Sequence, residues 1–193
     1  MKQKVAILAL QGAFVEHQQM LERLGVESVQ IRKLEDWTAF EASLADDVRG
    51  GIIIPGGEST TQLRLLNDLG LYGPVRQAVL AGMPVFGTCA GLIMLDGQHL
   101  GTMNIEVRRN AYGRQLGSFC TRAEVRGIGE VPMTFIRAPY ITAVGDGVEV
   151  LSVLDGNIIA ARQRNMLVCS FHPELNDDTS IHQMFLTEWS IFI

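Results

Sequence analysis

The 193-residue sequence predicts an α/β fold: a doubly wound, mostly parallel sheet flanked by helices, with additional antiparallel β hairpins in the C-terminal half. Three observations carry this expectation. Strands apolar on both faces alternate with amphipathic helical stretches through the first half, the pattern of parallel strands covered by helices. After about residue 100 the texture changes to short β-like pieces separated by Gly, Pro and Asp. No internal repeat, low-complexity segment or linker divides the two textures, so residues 1–193 read as a single domain.

The elements follow in order. Val5 to Leu10 are continuously apolar, Gly12 breaks the run, and VEHQQMLERLG sets Met20, Leu21 and Leu24 on one side of a helix. A short strand near Ser28 to Ile31 and a helix through Trp37 to Leu44 come next, then the strand GIIIP at 51–55. Ser59 starts and caps a helix with Leu63, Leu66 and Leu69 in register; Pro74 to Ala81 predicts another, and Met83 to Phe86 a fourth buried strand. The later β pieces are Asn104 to Arg108, Ser118 to Val125, Met133 to Ile136, Val148 to Leu154, Asn157 to Arg162 and Met166 to Phe171. Asp155-Gly156-Asn157 is their clearest hairpin turn. Ile181, Phe185 and Trp189, four apart, place a last helix over Thr179 to Trp189.

Composition removes whole classes of function. A chain this long, 47% hydrophobic, buries enough surface to be stable without disulfides or a structural metal. The net charge of −5 and the lack of any Lys/Arg run argue against a nucleic-acid or anionic-membrane surface. No apolar stretch approaches the roughly 18 residues of a membrane span, and no cleavage site follows the first strand, so a cytoplasmic protein is expected. Cys89, Cys120 and Cys169 are odd in number and far apart, which encodes neither a disulfide framework nor a zinc knuckle.

Chemistry concentrates at three sites. Met83 to Leu95 is a strand entering G-x-C-x-G and then an apolar helix, the cysteine form of a nucleophile elbow. Gly87 and Gly91 leave room for the helix to approach the strand, and the helix start favours a thiolate at Cys89 and can bind an oxyanion. Alone, this pattern fits a small buried cysteine at a tight turn equally well. Of the four histidines only His172 sits suggestively, in a strand ending Phe-His-Pro-Glu. Pro173 holds that segment extended, so that Glu174 falls on the same side as His172 and orients it. His17 and His182, on predicted helices, and His99, in a loop, read as structural or solvated. Gly56 and Gly57, after the third strand, can turn backbone N–H groups toward a ligand. The Gly-Lys-Ser/Thr ending of a phosphate-binding loop is missing there.

Together, PGGES at 55–59, GTCAG at 87–91 and FHPE at 171–174 resemble the class I, triad-type glutamine amidotransferases, in order and spacing across nearly the whole chain. More narrowly, LALQGA at 8–13, PGGEST at 55–60, RNAYGRQ at 109–115 and FIRAP at 135–139 are similar to the glutaminase subunits of pyridoxal 5'-phosphate synthases. The resemblance implies a flavodoxin-like doubly wound fold. It also implies hydrolysis of L-glutamine to glutamate and ammonia, with the ammonia passed to a separate synthase (lyase) subunit; no metal or organic cofactor is required. Carried over position by position, Cys89 is the nucleophile, His172 the acid and base, and Glu174 its orienter. Gly57, Glu58, Ser59, Arg109, Ile136 and Arg137 match the glutamine-binding positions, and Gln11 a position of contact with the synthase subunit. Gly56, Gly57 and Ala90 are the expected oxyanion donors. Two stretches depart from the family pattern: LDGQHLGTMN at 95–104 is several residues shorter, and Thr179-Ser180 stand where a His-Arg pair is common. The alternatives are a glutaminase serving another acceptor, such as imidazole glycerol phosphate synthesis, and a non-catalytic glutamine-binding regulatory subunit.

Overall fold

The computed structural model describes residues 2–44, 47–109 and 118–187. In chain order the elements are β1 (Lys2–Leu8), α1 (Phe14–Arg23), β2 (Glu27–Ile31), α2 (Leu34–Ala42), β3 (Val48–Ile54), α3 (Ser59–Asp68), α4 (Tyr72–Leu80), β4 (Val85–Thr88) and α5 (Ala90–Leu95). Then come β5 (Ile105–Arg108), β6 (Ser118–Val125), β7 (Gly129–Ile136), β8 (Tyr140–Val144), β9 (Glu149–Leu154), β10 (Asn157–Gln163), β11 (Met166–Cys169), a 3-10 turn (Pro173–Leu175) and α6 (Ser180–Thr187). The main sheet runs β2-β1-β3-β4-β11-β10-β8-β5, with β9 also paired to β10. β2, β1, β3, β4 and β11 are mutually parallel, and from β11 outward the pairings are antiparallel. β6 and β7 form a separate two-stranded sheet.

The parallel strands are apolar throughout because both their faces are covered. Along β1, Ala6 and Leu8 join one core cluster while Val5 and Ile7 join the other; Ile52 and Ile54 face Ile53 across β3 in the same way. Val125, Val131, Met133 and Phe135 bring the small sheet onto the second cluster, so it packs against the main sheet as part of one core. α6 seals that face with Ile181 and Phe185; Trp189, expected on the same stripe, lies outside the described residues.

Several boundaries differ from expectation for local reasons. α2 begins at Leu34, before Trp37, because the Asp36 carboxylate accepts the backbone N–H of Arg32 and Lys33 and closes a first turn there. β4 starts after Pro84, which has no N–H to give the ladder, and runs on to Thr88. β7 reaches back to Gly129 through Pro132, tolerated because this strand pairs only with β6. β8 has no counterpart in the sequence pattern: of Tyr140 to Val144 only Ile141 is buried, so no alternating signal marks it. Strand order reverses about β1 and β3, and the loops leaving β1, β3, β4 and β11 converge at the carboxyl edge, where ligands of open α/β sheets bind.

Candidate active site

β4 delivers Cys89 to that edge. Its backbone N–H donates to the carbonyl of Cys169 on β11 (2.8 Å), and its φ of +49° with ψ of −102° is a sharp, strained turn for a residue with a side chain. The turn enters α5, all of whose residues are buried. The expected close approach of helix and strand is present at Gly91, where a Cβ would stand 1.9 Å from the carbonyl oxygen of Ile54.

His172 follows β11 and is fixed from the other side by the small sheet, its N–H donating to Thr134 O on β7 (2.8 Å). Its Nδ1 lies 2.7 Å from Glu174 Oε1, and both residues are buried. The expected pairing is present, but the expected route is not. β11 ends at Cys169, and Pro173–Leu175 form a 3-10 turn with proline in its first position, where a missing N–H costs nothing. Glu174 therefore folds back onto the imidazole through a helical turn rather than along an extended strand. Burial works against an imidazolium at His172, but hydrogen bonding and charge from Cys89 and Glu174 outweigh it and raise the group to about 10. A Cβ on Gly56 would stand 2.3 Å from His172 Cε1 and 3.3 Å from Cys89 Cβ, so thiol and ring flank the same glycine.

The Pro-Gly-Gly turn after β3 is held on two sides. Gly56 N–H donates to Thr88 Oγ1 (3.0 Å), the residue before Cys89, and Glu58 N–H donates to the side-chain oxygen of Gln11 (2.7 Å). Gly56 is an oxyanion donor in the sequence reading; in this arrangement its N–H is directed at Thr88 instead, because that hydroxyl lies within reach on the neighbouring strand. Glu58, not Ser59, caps α3: its carboxylate accepts N–H groups from Thr60 and Thr61. The Thr61 N–H first, with the Thr61 hydroxyl and Thr60, holds the Glu58 carboxyl at about 2. The same carboxylate pairs with Arg109 at 2.7 Å, while Ser59 is buried with its Oγ unpartnered among the described residues.

These parts enclose a cavity of about 360 Å³. Cys89, Ala90 and His172 line it, as do Gln11, the Gly56–Ser59 turn, Arg109, Ile136 and Arg137. Every expected site residue thus meets at one cavity except Glu174, which backs His172 from beneath. Arg137 is exposed and has φ of +44°, and its guanidinium has no ion pair among the described residues. Of RNAYGRQ only Arg109 is described; residues 110–115 lie outside. Among the described residues no cluster of His, Cys, Asp or Glu could hold a metal, and no helix is long and apolar enough to cross a membrane.

Two residues that sequence reasoning passes over belong to this neighbourhood. Thr88 carries the hydrogen bond to Gly56, and His17, wholly buried on α1, places Nε2 3.1 Å from Thr88 Oγ1 and 3.6 Å from Glu174 Oε2. Threonine in a strand and histidine in a helix carry no local signal of such a role.

Residues 7–190 match the SNO glutamine amidotransferase family. The chain is 55% identical, over 95% of its length and 96% of the relative's, to the pyridoxal 5'-phosphate synthase subunit PdxT of Streptococcus pneumoniae serotype 2. It superposes on a crystal structure of a glutamine amidotransferase with a TM-score of 0.85 at 40% identity, covering 96% of this chain and 98% of that one. PurLQS from Thermotoga maritima shares the fold, with a TM-score of 0.70 at 14% identity, over 97% of this chain and 99% of that one. Sequence and architecture agree: the chain belongs to the SNO glutamine amidotransferase family.

Proposed function

We propose that this chain, as one domain over residues 1–193, is the cytoplasmic glutaminase subunit of a pyridoxal 5'-phosphate synthase. It hydrolyses L-glutamine and hands the ammonia to a separate synthase subunit. The observation that carries the reading is the juxtaposition of a strained-turn Cys89 and a Glu174-backed His172 on one cavity.

In this mechanism Cys89 Sγ attacks the side-chain carboxamide carbon of glutamine. Ala90 N–H and the Gly57 N–H bind the tetrahedral oxyanion, each such donor being worth about a hundredfold or more in rate. His172 gives its proton to the departing nitrogen, the C–N bond breaks, and a γ-glutamyl thioester remains on Cys89. His172 then takes a proton from water, which attacks the thioester and releases glutamate. Glu174 holds Nδ1 throughout, which leaves Nε2 for the reacting groups.

Arg137 meets the substrate α-carboxylate, since Arg109 is already paired with Glu58 and serves the turn as much as the ligand. The unpartnered Ser59 hydroxyl and the Ile136 backbone complete the contacts. Gln11 grips the Glu58 N–H and sits at the cavity rim. A synthase subunit docking on Gln11 therefore pulls on the Pro-Gly-Gly turn, which supports partner-dependent hydrolysis. Treatment with an electrophilic glutamine analogue tests the assignment. Stoichiometric labelling of Cys89 alone is expected; reversible binding without labelling would indicate a glutamine sensor instead.

A further inference from the structure

Beneath the triad lies a chain of buried polar groups that the mechanism above does not use. His17 Nε2 faces Thr88 Oγ1 at 3.1 Å and Glu174 Oε2 at 3.6 Å, and His17 Nδ1 lies 2.9 Å from His182 Nε2 on α6. His17, His182 and the Glu174 side chain are all closed off from solvent, and Glu174 Oε2 has no hydrogen-bond partner among the described residues, although Oε1 is engaged by His172. A buried carboxylate oxygen without a donor is costly, and His17 Nε2, 3.6 Å away, faces it.

We propose that His17 is a positioning residue for the triad: its Nε2–H, hydrogen-bonded to Thr88 Oγ1 and turned toward Glu174 Oε2 3.6 Å away, steadies the carboxylate that orients His172 and links it to the Gly56 N–H of the Pro-Gly-Gly turn. The inference rests on the glutaminase reading and deepens it. The proton placement follows from the surroundings. Burial first, then the charges of His182 and His172, push His17 well below its ordinary range; burial and Arg23 lower His182 to about 4. Both rings are neutral at working pH, so each has one N–H and one lone pair.

If His17 carried its proton on Nδ1, a bare Nε2 lone pair would face the carboxylate oxygen, and His182 would be left with a buried Nδ1–H and no acceptor. With the proton on Nε2, His182 Nε2–H donates to His17 Nδ1, and the carboxylate faces a donor. Thr88 Oγ1 then accepts from both Gly56 N–H and His17. The groups facing this proton are Thr88 from β4, Glu174 and His172 from the segment after β11, and His182 from α6.

The test compares His17→Gln with His17→Asn in the complex with a pyridoxal 5'-phosphate synthase subunit. A glutamine amide nitrogen reaches the place of Nε2, whereas an asparagine amide reaches only that of Nδ1. Glutamine turnover by H17N is expected to lose about tenfold or more in kcat with KM changed less than about twofold, and H17Q to recover most of the loss. Alkylation of Cys89 by iodoacetamide at pH 7, measured on the free chain, is expected to slow in H17N and not in H17Q. Equal behaviour of the two variants, or wild-type kcat and alkylation rate in H17N, overturns the proposal. A wild-type complex that leaves glutamine intact sinks the glutaminase reading instead, and the alkylation comparison still decides the role of His17.

Discussion

Glu174 Oε1 stands 2.7 Å from Nδ1 of His172, two residues earlier in the chain; both are buried, and His172 lines the same cavity as Cys89. The contact selects the tautomer that presents Nε2 to the reaction. Glu174→Gln keeps the shape and removes the charge. Glutamine hydrolysis by the complex is expected to fall by about a hundredfold or more in kcat, with KM little changed. A loss confined to KM would contradict the orienting role.

The cavity holds two arginines in different states. Arg109 is committed to Glu58, and Arg137 has no ion pair among the described residues. Arg137→Ala is expected to raise KM for glutamine about tenfold with kcat nearly kept, since it removes a charge-assisted contact made equally in ground and transition states. Arg109→Ala is expected to lower kcat as well, because it loosens the turn that Glu58 begins. Steady-state kinetics on both variants distinguish the two roles.

Gly56 has no side chain because His172 occupies the space. Gly56→Ala would set a methyl group 2.3 Å from the imidazole Cε1 and push the ring away from Cys89. Glutaminase activity is expected to vanish while the far-ultraviolet circular dichroism stays native. An active Gly56→Ala variant would show that the ring has room the structure denies it.

Histidines shape stability on both sides of neutrality, with opposite signs. His182, held at about 4, binds its proton only in the unfolded chain as pH drops below about 6.5, so its contribution, full above that value, is lost toward pH 4; His17, also lowered, acts in the same direction. His172, raised to about 10, contributes fully below about 6.5, and that contribution is lost as pH rises toward 10. The melting temperature is therefore expected to peak near neutrality. His182→Gln is expected to flatten the acid limb, and Glu174→Gln the alkaline limb. Melting scans between pH 4 and 10 check both.

What the sequence discloses about this site is what a single turn can encode. The tight turn at Cys89 and the close packing at Gly91 follow from G-x-C-x-G, because strand end, cysteine and helix start are contiguous. The Glu174 contact to His172 is legible as a pair two residues apart, although the 3-10 turn that makes it is not: Pro173 suits an extended segment and a helical first position alike. The cap of α3 falls to Glu58 rather than the expected Ser59, since both residue types can accept from a helix N-terminus and only packing decides between them. His17, Thr88 and His182 come from α1, β4 and α6, which only tertiary packing brings together. No pattern along the chain could single them out. β8 escapes notice because its one buried residue, Ile141, gives no period.

On the proposed function, Cys89 makes ammonia for a partner. The most direct measurement follows pyridoxal 5'-phosphate formed from a pentose phosphate and a triose phosphate by the chain together with a synthase subunit, comparing wild type with Cys89→Ala. Glutamine is expected to support product with the wild type and not with the variant, while free ammonium salt restores product in both. Product from glutamine with Cys89→Ala, or none from glutamine with the wild type while ammonium supports it, would contradict the account.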